Sequence, residues 1–87
     1  MKRVFIDVRE PHEIKMMGSV EGAINLPPAK LVGGEPAELK DLPRDTELVV
    51  FCLSGSRSNA SMPYLRAMGF TNIVNGINQM HVTKKYF

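Results

Sequence analysis

The chain has a single cysteine, Cys52, among its 87 residues. One cysteine excludes an internal disulfide, a pair of redox thiols and a zinc site built from several thiolates. No run of residues approaches the roughly 20 apolar positions that a membrane span requires. The apolar segment near the start ends at Asp7, which is too early for the hydrophobic region of a signal peptide. These absences predict a cytoplasmic protein with no membrane partner.

Excess charge of one sign and metal-ligand patterns are also lacking. The net charge of +2 is too small to argue for a nucleic-acid partner, and the basic residues are scattered apart from Lys84 and Lys85. We interpret that pair as a solvated helix end. His12 and His81 lie far apart without metal-ligand spacing, so we predict surface positions for both and no metal site. No cofactor is predicted.

What is present predicts one globular domain over residues 1–87, with 44% hydrophobic and 23% charged residues. Apolar segments predict four strands, at residues 4–6, 23–26, 48–51 and 72–75. Proline and glycine positions predict helices at 11–17, 36–42, 58–68 and from about 78 into the tail, with a loop at 27–35. Strands that alternate with helices indicate an α/β fold of three layers, a parallel sheet with helices on both faces.

Cys52 ends the third predicted strand and precedes a loop of small residues. Ligands of parallel α/β sheets bind beyond the carboxyl ends of the strands. Backbone N–H groups where such a loop enters a helix, together with the guanidinium of Arg57, would stabilise an anion and lower the pKa of the thiol. A lone cysteine is more often a small buried hydrophobe. The flanking residues favour a nucleophile instead.

The loop has the pattern Cys-x-x-Gly-x-Arg-Ser, in which small residues surround the sulfur. Gly55 permits backbone angles that let successive N–H groups point inward. Ser54, Ser56 and Ser58 add hydroxyl donors and leave the pocket open. The alternative is that the serines only cap the following helix, which would account for Ser58 but not for a cysteine and an arginine on either side of the loop.

Four segments resemble a single-domain rhodanese in order and spacing. They are FIDVREPHE at 5–13, GSVEGAINLP at 18–27, CLSGSRS at 52–58 and MGF at 68–70. The resemblance covers nearly the whole chain. It implies the rhodanese-like fold, with about four parallel strands in the order 4-3-1-2, and it implies a rhodanese-type sulfurtransferase.

On this resemblance, Cys52 accepts a sulfane sulfur from thiosulfate or a persulfide donor. The Cys52 persulfide then passes the sulfur to cyanide or another thiol acceptor. The backbone N–H groups from Leu53 to Arg57 would stabilise the persulfide, and Arg57 would hold the anionic donor. Asp7 and Arg9 match the family's Asp-x-Arg element, which we expect to be mainly structural. With no second cysteine, a second molecule must remove the sulfur.

Two other functions remain open from the sequence. A persulfide carrier or regulatory binding module without turnover is favoured by departures from the family, such as Ser19 in place of a histidine. Asn75 replaces the first glycine of a Gly-Gly pair, and it can adopt left-handed backbone angles that would keep a turn there. A phosphatase is disfavoured, because related phosphatases on this fold have five residues between cysteine and arginine whereas this chain has four.

Overall fold

The computed structural model describes residues 2–87, which form four strands and five helices. The strands are β1 (Arg3–Asp7), β2 (Ile24–Asn25), β3 (Glu47–Cys52) and β4 (Asn72–Asn78). The helices are α1 (Pro11–Met17), α2 (Pro28–Val32), α3 (Ala37–Lys40), α4 (Ser56–Ala67) and α5 (Gln79–Tyr86). None of these helices is long and apolar enough to cross a bilayer.

The strands form one parallel sheet in the order β2-β1-β3-β4. This arrangement confirms the predicted four-stranded parallel α/β sheet and its strand order. β1 and β3 occupy the centre and pair in register, with Phe5 opposite Val49 and Asp7 opposite Phe51. The carboxyl ends of both central strands therefore lie side by side, which brings the segment after Asp7 next to Cys52.

β3 is buried on both faces of the sheet. Its side chains alternate, so that Leu48, Val50 and Cys52 join one apolar cluster while Val49 and Phe51 join the other. The first cluster contains buried leucines from three helices, Leu31 of α2, Leu39 of α3 and Leu65 of α4. The second cluster contains Val82 of α5. Packing on both faces fixes the position of Cys52 at the end of this strand.

The predicted loop at 27–35 is wrong in part, because residues 28–32 form α2. Pro28 occupies a first-turn position, where a proline costs the helix no hydrogen bond. The helix has only five residues, too few to show a helical period in the sequence. Its formation follows from tertiary packing, since Leu31 is 2% exposed in the core.

A bulge in β4 corrects the expectation for Asn75. The register passes from Val50 opposite Asn75 to Phe51 opposite Ile77, which leaves Gly76 as the additional residue. The non-glycine residue with a left-handed φ is Ile77, at 71°, and Asn75 lies within the paired part of β4. The bulge therefore alters the direction of β4 beside the loop that contains Cys52.

Gly76→Ala is expected to lower the free energy of unfolding by about 1–3 kcal/mol, because a methyl group there overpacks the core. A Cβ at Gly76 would lie 2.7 Å from Val82 Cγ2 and 2.9 Å from Val49 Cγ1. Urea denaturation measures the change. Gly33→Ala is the matched control, since its Cβ would meet only Ala29 O at 3.7 Å. Equal stability of the two variants would contradict the packing argument.

Candidate functional site

The sulfur of Cys52 is surrounded by hydrogen-bond donors from the loop that follows it. Gly55 N donates to Sγ at 3.1 Å and Ser58 N donates at 3.4 Å. The Ser58 hydroxyl lies 3.5 Å from Sγ. Cys52 itself is 1% exposed, so water competes little for these contacts. The loop thus places a ring formed by the N–H groups of Gly55 and Ser58 and the Ser58 hydroxyl around the sulfur, and the predicted binding of an anion there stays a prediction.

Gly55 makes this ring possible through its backbone. Its φ is 94°, in the left-handed region that disfavours residues with a side chain. Gly55 is also the N-cap residue of α4, a helix of 12 residues. The chain therefore turns sharply after β3, and the N-terminus of α4 points at the sulfur with its free N–H groups.

These donors lower the pKa of the Cys52 thiol. Burial alone raises the pKa, since it disfavours the charged thiolate. Hydrogen bonds from the Ser58 hydroxyl and from the backbone N–H groups of Ser58, Ser54 and Gly55 outweigh burial and lower the pKa to about 7. A substantial fraction of the thiol is therefore ionised at neutral pH, and the thiolate is the nucleophilic form.

Asn75 holds the ring from the neighbouring strand. Its Oδ1 accepts a hydrogen bond from Ile77 N at 2.9 Å, and it accepts the single proton of the Ser58 hydroxyl, at 2.7 Å, whenever that proton is not directed at Sγ. Its Nδ2 donates to the carbonyl of Gly55 at 3.1 Å. The amide thus fixes both the hydroxyl that lies beside the sulfur and the glycine that turns the loop. Asn75 therefore acts as a positioning residue for the Cys52 loop.

Arg57 is bound to a carboxylate of α1. Its Nη1 and Nη2 donate to the two carboxylate oxygens of Glu13 at 2.6 and 2.8 Å. Glu13 also accepts from Glu10 N at 2.9 Å. The hydrogen bonds to Arg57, then that to Glu10, lower the pKa of Glu13 to about 2, and Glu13 raises the pKa of Arg57. This pair stabilises the fold above the ordinary carboxyl pKa, and its contribution is lost as pH falls toward 2.

Asp7 and Arg9 form a buried ion pair beside the loop, with 0% and 1% of each residue exposed. Asp7 accepts from Arg9 Nε at 2.9 Å, from Arg9 Nη2 at 2.6 Å and from Arg9 N at 3.0 Å. The Ser19 hydroxyl donates to Asp7 Oδ2 at 2.6 Å. Arg9 Nη2 also donates to the carbonyl of Gly18 at 2.8 Å. The pair thus joins β1 to the segment after α1.

A cleft of about 640 Å³ opens next to the sulfur. Its wall consists of five residues from earlier segments and four residues of α5, in chain order Arg9, Met17, Cys52, Leu53, Asn78, Gln79, Met80, Thr83 and Lys84. Much of this wall is apolar. The cleft has room for a small donor or for the end of a larger acceptor beside Cys52.

The predicted site residues occupy different positions around the sulfur. Leu53 is 43% exposed on the cleft wall. The hydroxyls of Ser54 and Ser56 lie 3.5 Å from each other on the exposed side of the loop, so their predicted role as donors to the sulfur stays a prediction. Arg57 does not line the cleft that residues 2–87 form, and its predicted contact with a donor also stays a prediction.

Sequence reasoning missed three residues of this site. Glu13 binds Arg57 across 44 positions of the chain, and Asn75 reaches Ser58 across 17. The sequence predicts only a solvated helix end at Lys84, yet this residue lines the cleft. The only sequence signal for Lys84 is the helical period of α5. It places Lys84 on a different face from Val82, which lies on the core side.

This chain is similar in sequence to known proteins. Residues 1–79 match the model of the rhodanese-like domain. A sulfurtransferase from Allochromatium vinosum is 31% identical over 72 residues, which are 83% of this chain and 63% of that protein. A tRNA uridine(34) hydroxylase from Xylella fastidiosa is 36% identical over 73 residues, which are 82% of this chain and 28% of that protein. This chain thus spans less than two thirds of either relative.

A solved structure has the same fold. It is described as a rhodanese with anions from E. coli, with a TM-score of 0.73 and 26% sequence identity. The superposition covers 91% of this chain and 89% of that one. The family model and the solved structure thus each match most of the chain. On these grounds the chain belongs to the rhodanese-like domain family.

Proposed function

We propose that this chain is a sulfurtransferase with Cys52 as its nucleophile and persulfide carrier. The observation that supports it most directly is the ring of donors around Sγ, with Gly55 N at 3.1 Å and Ser58 N at 3.4 Å. Such a ring stabilises a thiolate before reaction. It would also stabilise the negative outer sulfur of a persulfide afterwards, as an oxyanion hole stabilises a developing charge. The curated relative named a sulfurtransferase supports the same chemistry.

The proposed reaction has two displacement steps. The Cys52 thiolate attacks the sulfane sulfur of thiosulfate, the sulfur–sulfur bond of the donor breaks, and sulfite leaves with the electron pair. The enzyme then carries a Cys52 persulfide. Cyanide or a thiolate attacks the outer sulfur, which leaves as thiocyanate or as a new persulfide, and the Cys52 thiolate is restored. No external oxidant or reductant is consumed, and a persulfide donor would follow the same first step with a thiolate as the leaving group.

The remaining loop residues have supporting parts in this proposal. The backbone N–H groups from Leu53 to Arg57 would stabilise the negative charge of the persulfide. Ser58 adds its hydroxyl at 3.5 Å from Sγ. Arg57, bound to Glu13, would need to exchange that carboxylate for the donor in order to bind it directly. Asp7 and Arg9 keep the carboxyl end of β1 in place beside the loop.

Thiosulfate treatment should add about one sulfur atom, roughly 32 Da, to the protein, and cyanide should remove it. Intact-protein mass spectrometry measures both changes. We expect a gain of one sulfur atom and no more, because Cys52 is the only thiol in the chain. A gain of sulfur can therefore be assigned to one residue without peptide mapping.

Cys52→Ser is the control for this experiment, because it keeps the size of the side chain and removes the thiolate. It should gain no mass under the same treatment while keeping the circular dichroism of the wild type. An unmodified wild-type protein after prolonged exposure to thiosulfate, together with normal alkylation of Cys52 by iodoacetamide, would rule out the proposed thiosulfate reaction.

A second candidate is a persulfide carrier that exchanges sulfur with another protein. It is favoured by three exposed apolar residues that line the cleft, Met17 at 53%, Leu53 at 43% and Met80 at 69% exposed. Apolar groups around a reactive sulfur fit a protein surface better than a small hydrated anion. Slow reaction with thiosulfate, combined with fast sulfur uptake from a protein persulfide, would favour the carrier. Robust turnover of thiosulfate and cyanide would count against it.

A further inference from the structure

The proposed reaction requires a dianion to approach a thiolate, and the inference developed here rests on that proposed function. Thiosulfate carries two negative charges, and its sulfane sulfur must reach the negative Sγ of Cys52. Like charges repel most strongly where protein replaces water. The backbone donors around the sulfur are directed at Sγ itself. A separate cation is therefore needed for the leaving group of the donor.

The arginines near the sulfur are already neutralised by carboxylates. Arg57 donates from both terminal nitrogens to Glu13, at 2.6 and 2.8 Å. Arg9 lines the cleft, but it is paired with Asp7, and both are almost completely buried. Each pair has a net charge close to zero. Releasing either arginine would leave a carboxylate without its partner, which is costly for the buried pair.

Lys84 supplies the uncompensated positive charge of the cleft. The wall formed within residues 2–87 contains no aspartate or glutamate. Lys84 forms no ion pair among these residues, whereas Arg9 and Arg57 do. Its side chain is exposed, so the ammonium is free to move toward a ligand. A lysine suits this task because its point charge sits on a flexible stem.

The helical period of α5 explains why Lys84 faces the cleft and its neighbour does not. Met80, Thr83 and Lys84 are separated by three and four positions and line the same wall. Val82 lies on the core side and is 0% exposed. The ammonium of Lys85 lies 5.7 Å from the ring centre of Tyr86 instead. The two adjacent lysines thus differ in environment but carry the same charge.

We propose that Lys84 is a substrate-binding residue that selects sulfur donors with an anionic leaving group, of which thiosulfate is the simplest. Its ammonium binds the sulfonate oxygens while the sulfane sulfur lies against Sγ. The donor sulfur–sulfur bond breaks as the Cys52 sulfur–sulfur bond forms, and sulfite carries away the electron pair beside the ammonium. The charge of Lys84 then holds the leaving group as its negative charge grows.

Lys84→Gln and Lys85→Gln test this proposal through the alkylation of Cys52. Iodoacetate carries a negative charge and iodoacetamide does not, while both react with the same thiolate. Lys84→Gln should lower the ratio of the iodoacetate rate to the iodoacetamide rate by about 5–10-fold at low salt, as expected for loss of one nearby charge. Lys85→Gln should change the ratio less than twofold, and Lys84→Arg should largely keep it. Equal effects of the two glutamine variants, or no effect of Lys84→Gln, would overturn the assignment.

Persulfide formation from thiosulfate gives the second measurement. Lys84→Gln should lower its second-order rate constant by a similar factor, through a higher thiosulfate KM, and added salt should reduce the difference. The alkylation ratio does not depend on sulfur transfer. A wild type that fails to form a persulfide, yet shows the Lys84-dependent ratio, would therefore refute the proposed function and support the anion site. Normal persulfide formation in Lys84→Gln would refute the anion site alone.

Discussion

Asp7→Asn is expected to lower the free energy of unfolding by about 3–5 kcal/mol, which is a large part of the stability of a domain this size. The substitution keeps the shape of the side chain but removes its charge. Arg9, at 1% exposed, would then keep a buried positive charge without its carboxylate. The amide would also place a donor where Arg9 or Ser19 now donates. Urea denaturation followed by circular dichroism measures the loss.

The exposed pair of Arg3 and Glu47 provides the matched control for this prediction. Their side chains are 48% and 20% exposed, and Glu47→Gln removes the pair without burying a charge. It should cost less than about 1 kcal/mol. An Asp7→Asn variant no less stable than Glu47→Gln would show that the buried pair contributes little. If Asp7→Asn is destabilised but its Cys52 still reacts normally with iodoacetamide while the protein is folded, the role of the pair is structural.

The sequence was sufficient for the parts of this molecule that local chemistry determines. β3 is a continuous apolar segment that ends at a cysteine, and the glycine and small residues after it predict a loop into a helix. The structure has that loop, with Gly55 in the left-handed region. Pro28 shows the limit of such reasoning. It lies in the predicted loop at 27–35, yet it begins a helix whose buried residue, Leu31, packs in the core.

Contacts between distant segments account for what the sequence could not predict. The position of Arg57 depends on Glu13, which lies on a helix of the first half of the chain. Nothing in the local pattern of either residue indicates that partner. Asn75 was expected to form a turn through its own backbone, but the bulge moves the left-handed angle to Ile77 and leaves the Asn75 side chain to hold the loop. The additional residue in β4, Gly76, thus leaves the side chain of Asn75, and not its backbone turn, in contact with the Cys52 loop.

The rate of Cys52 alkylation by iodoacetamide should rise with pH through a midpoint near 7 and then level off. The pKa of the thiol is lowered to about 7, so the thiolate fraction at pH 5 is about 100-fold below its plateau. Iodoacetamide is uncharged, and the profile therefore reports the thiol alone. Rates measured from pH 5 to 9 give the midpoint. The same reaction in concentrated urea should show a midpoint near 8.5, the ordinary value of an unfolded cysteine.

Ser58→Ala should move this midpoint upward, because it removes the hydroxyl that helps to outweigh burial. The backbone N–H of residue 58 remains, so the midpoint should stay below that of the unfolded chain.

The ionisation of Cys52 also makes the stability of the fold depend on pH. Since the folded pKa lies below the unfolded value, the thiolate adds stability above the unfolded pKa, and this contribution is lost as pH falls through about 7. Cys52→Ser should abolish that dependence between pH 7 and 9. A wild-type midpoint equal to that in urea, with no change in Ser58→Ala, would show that the loop does not stabilise the thiolate, and the proposed persulfide would lose its main physical support.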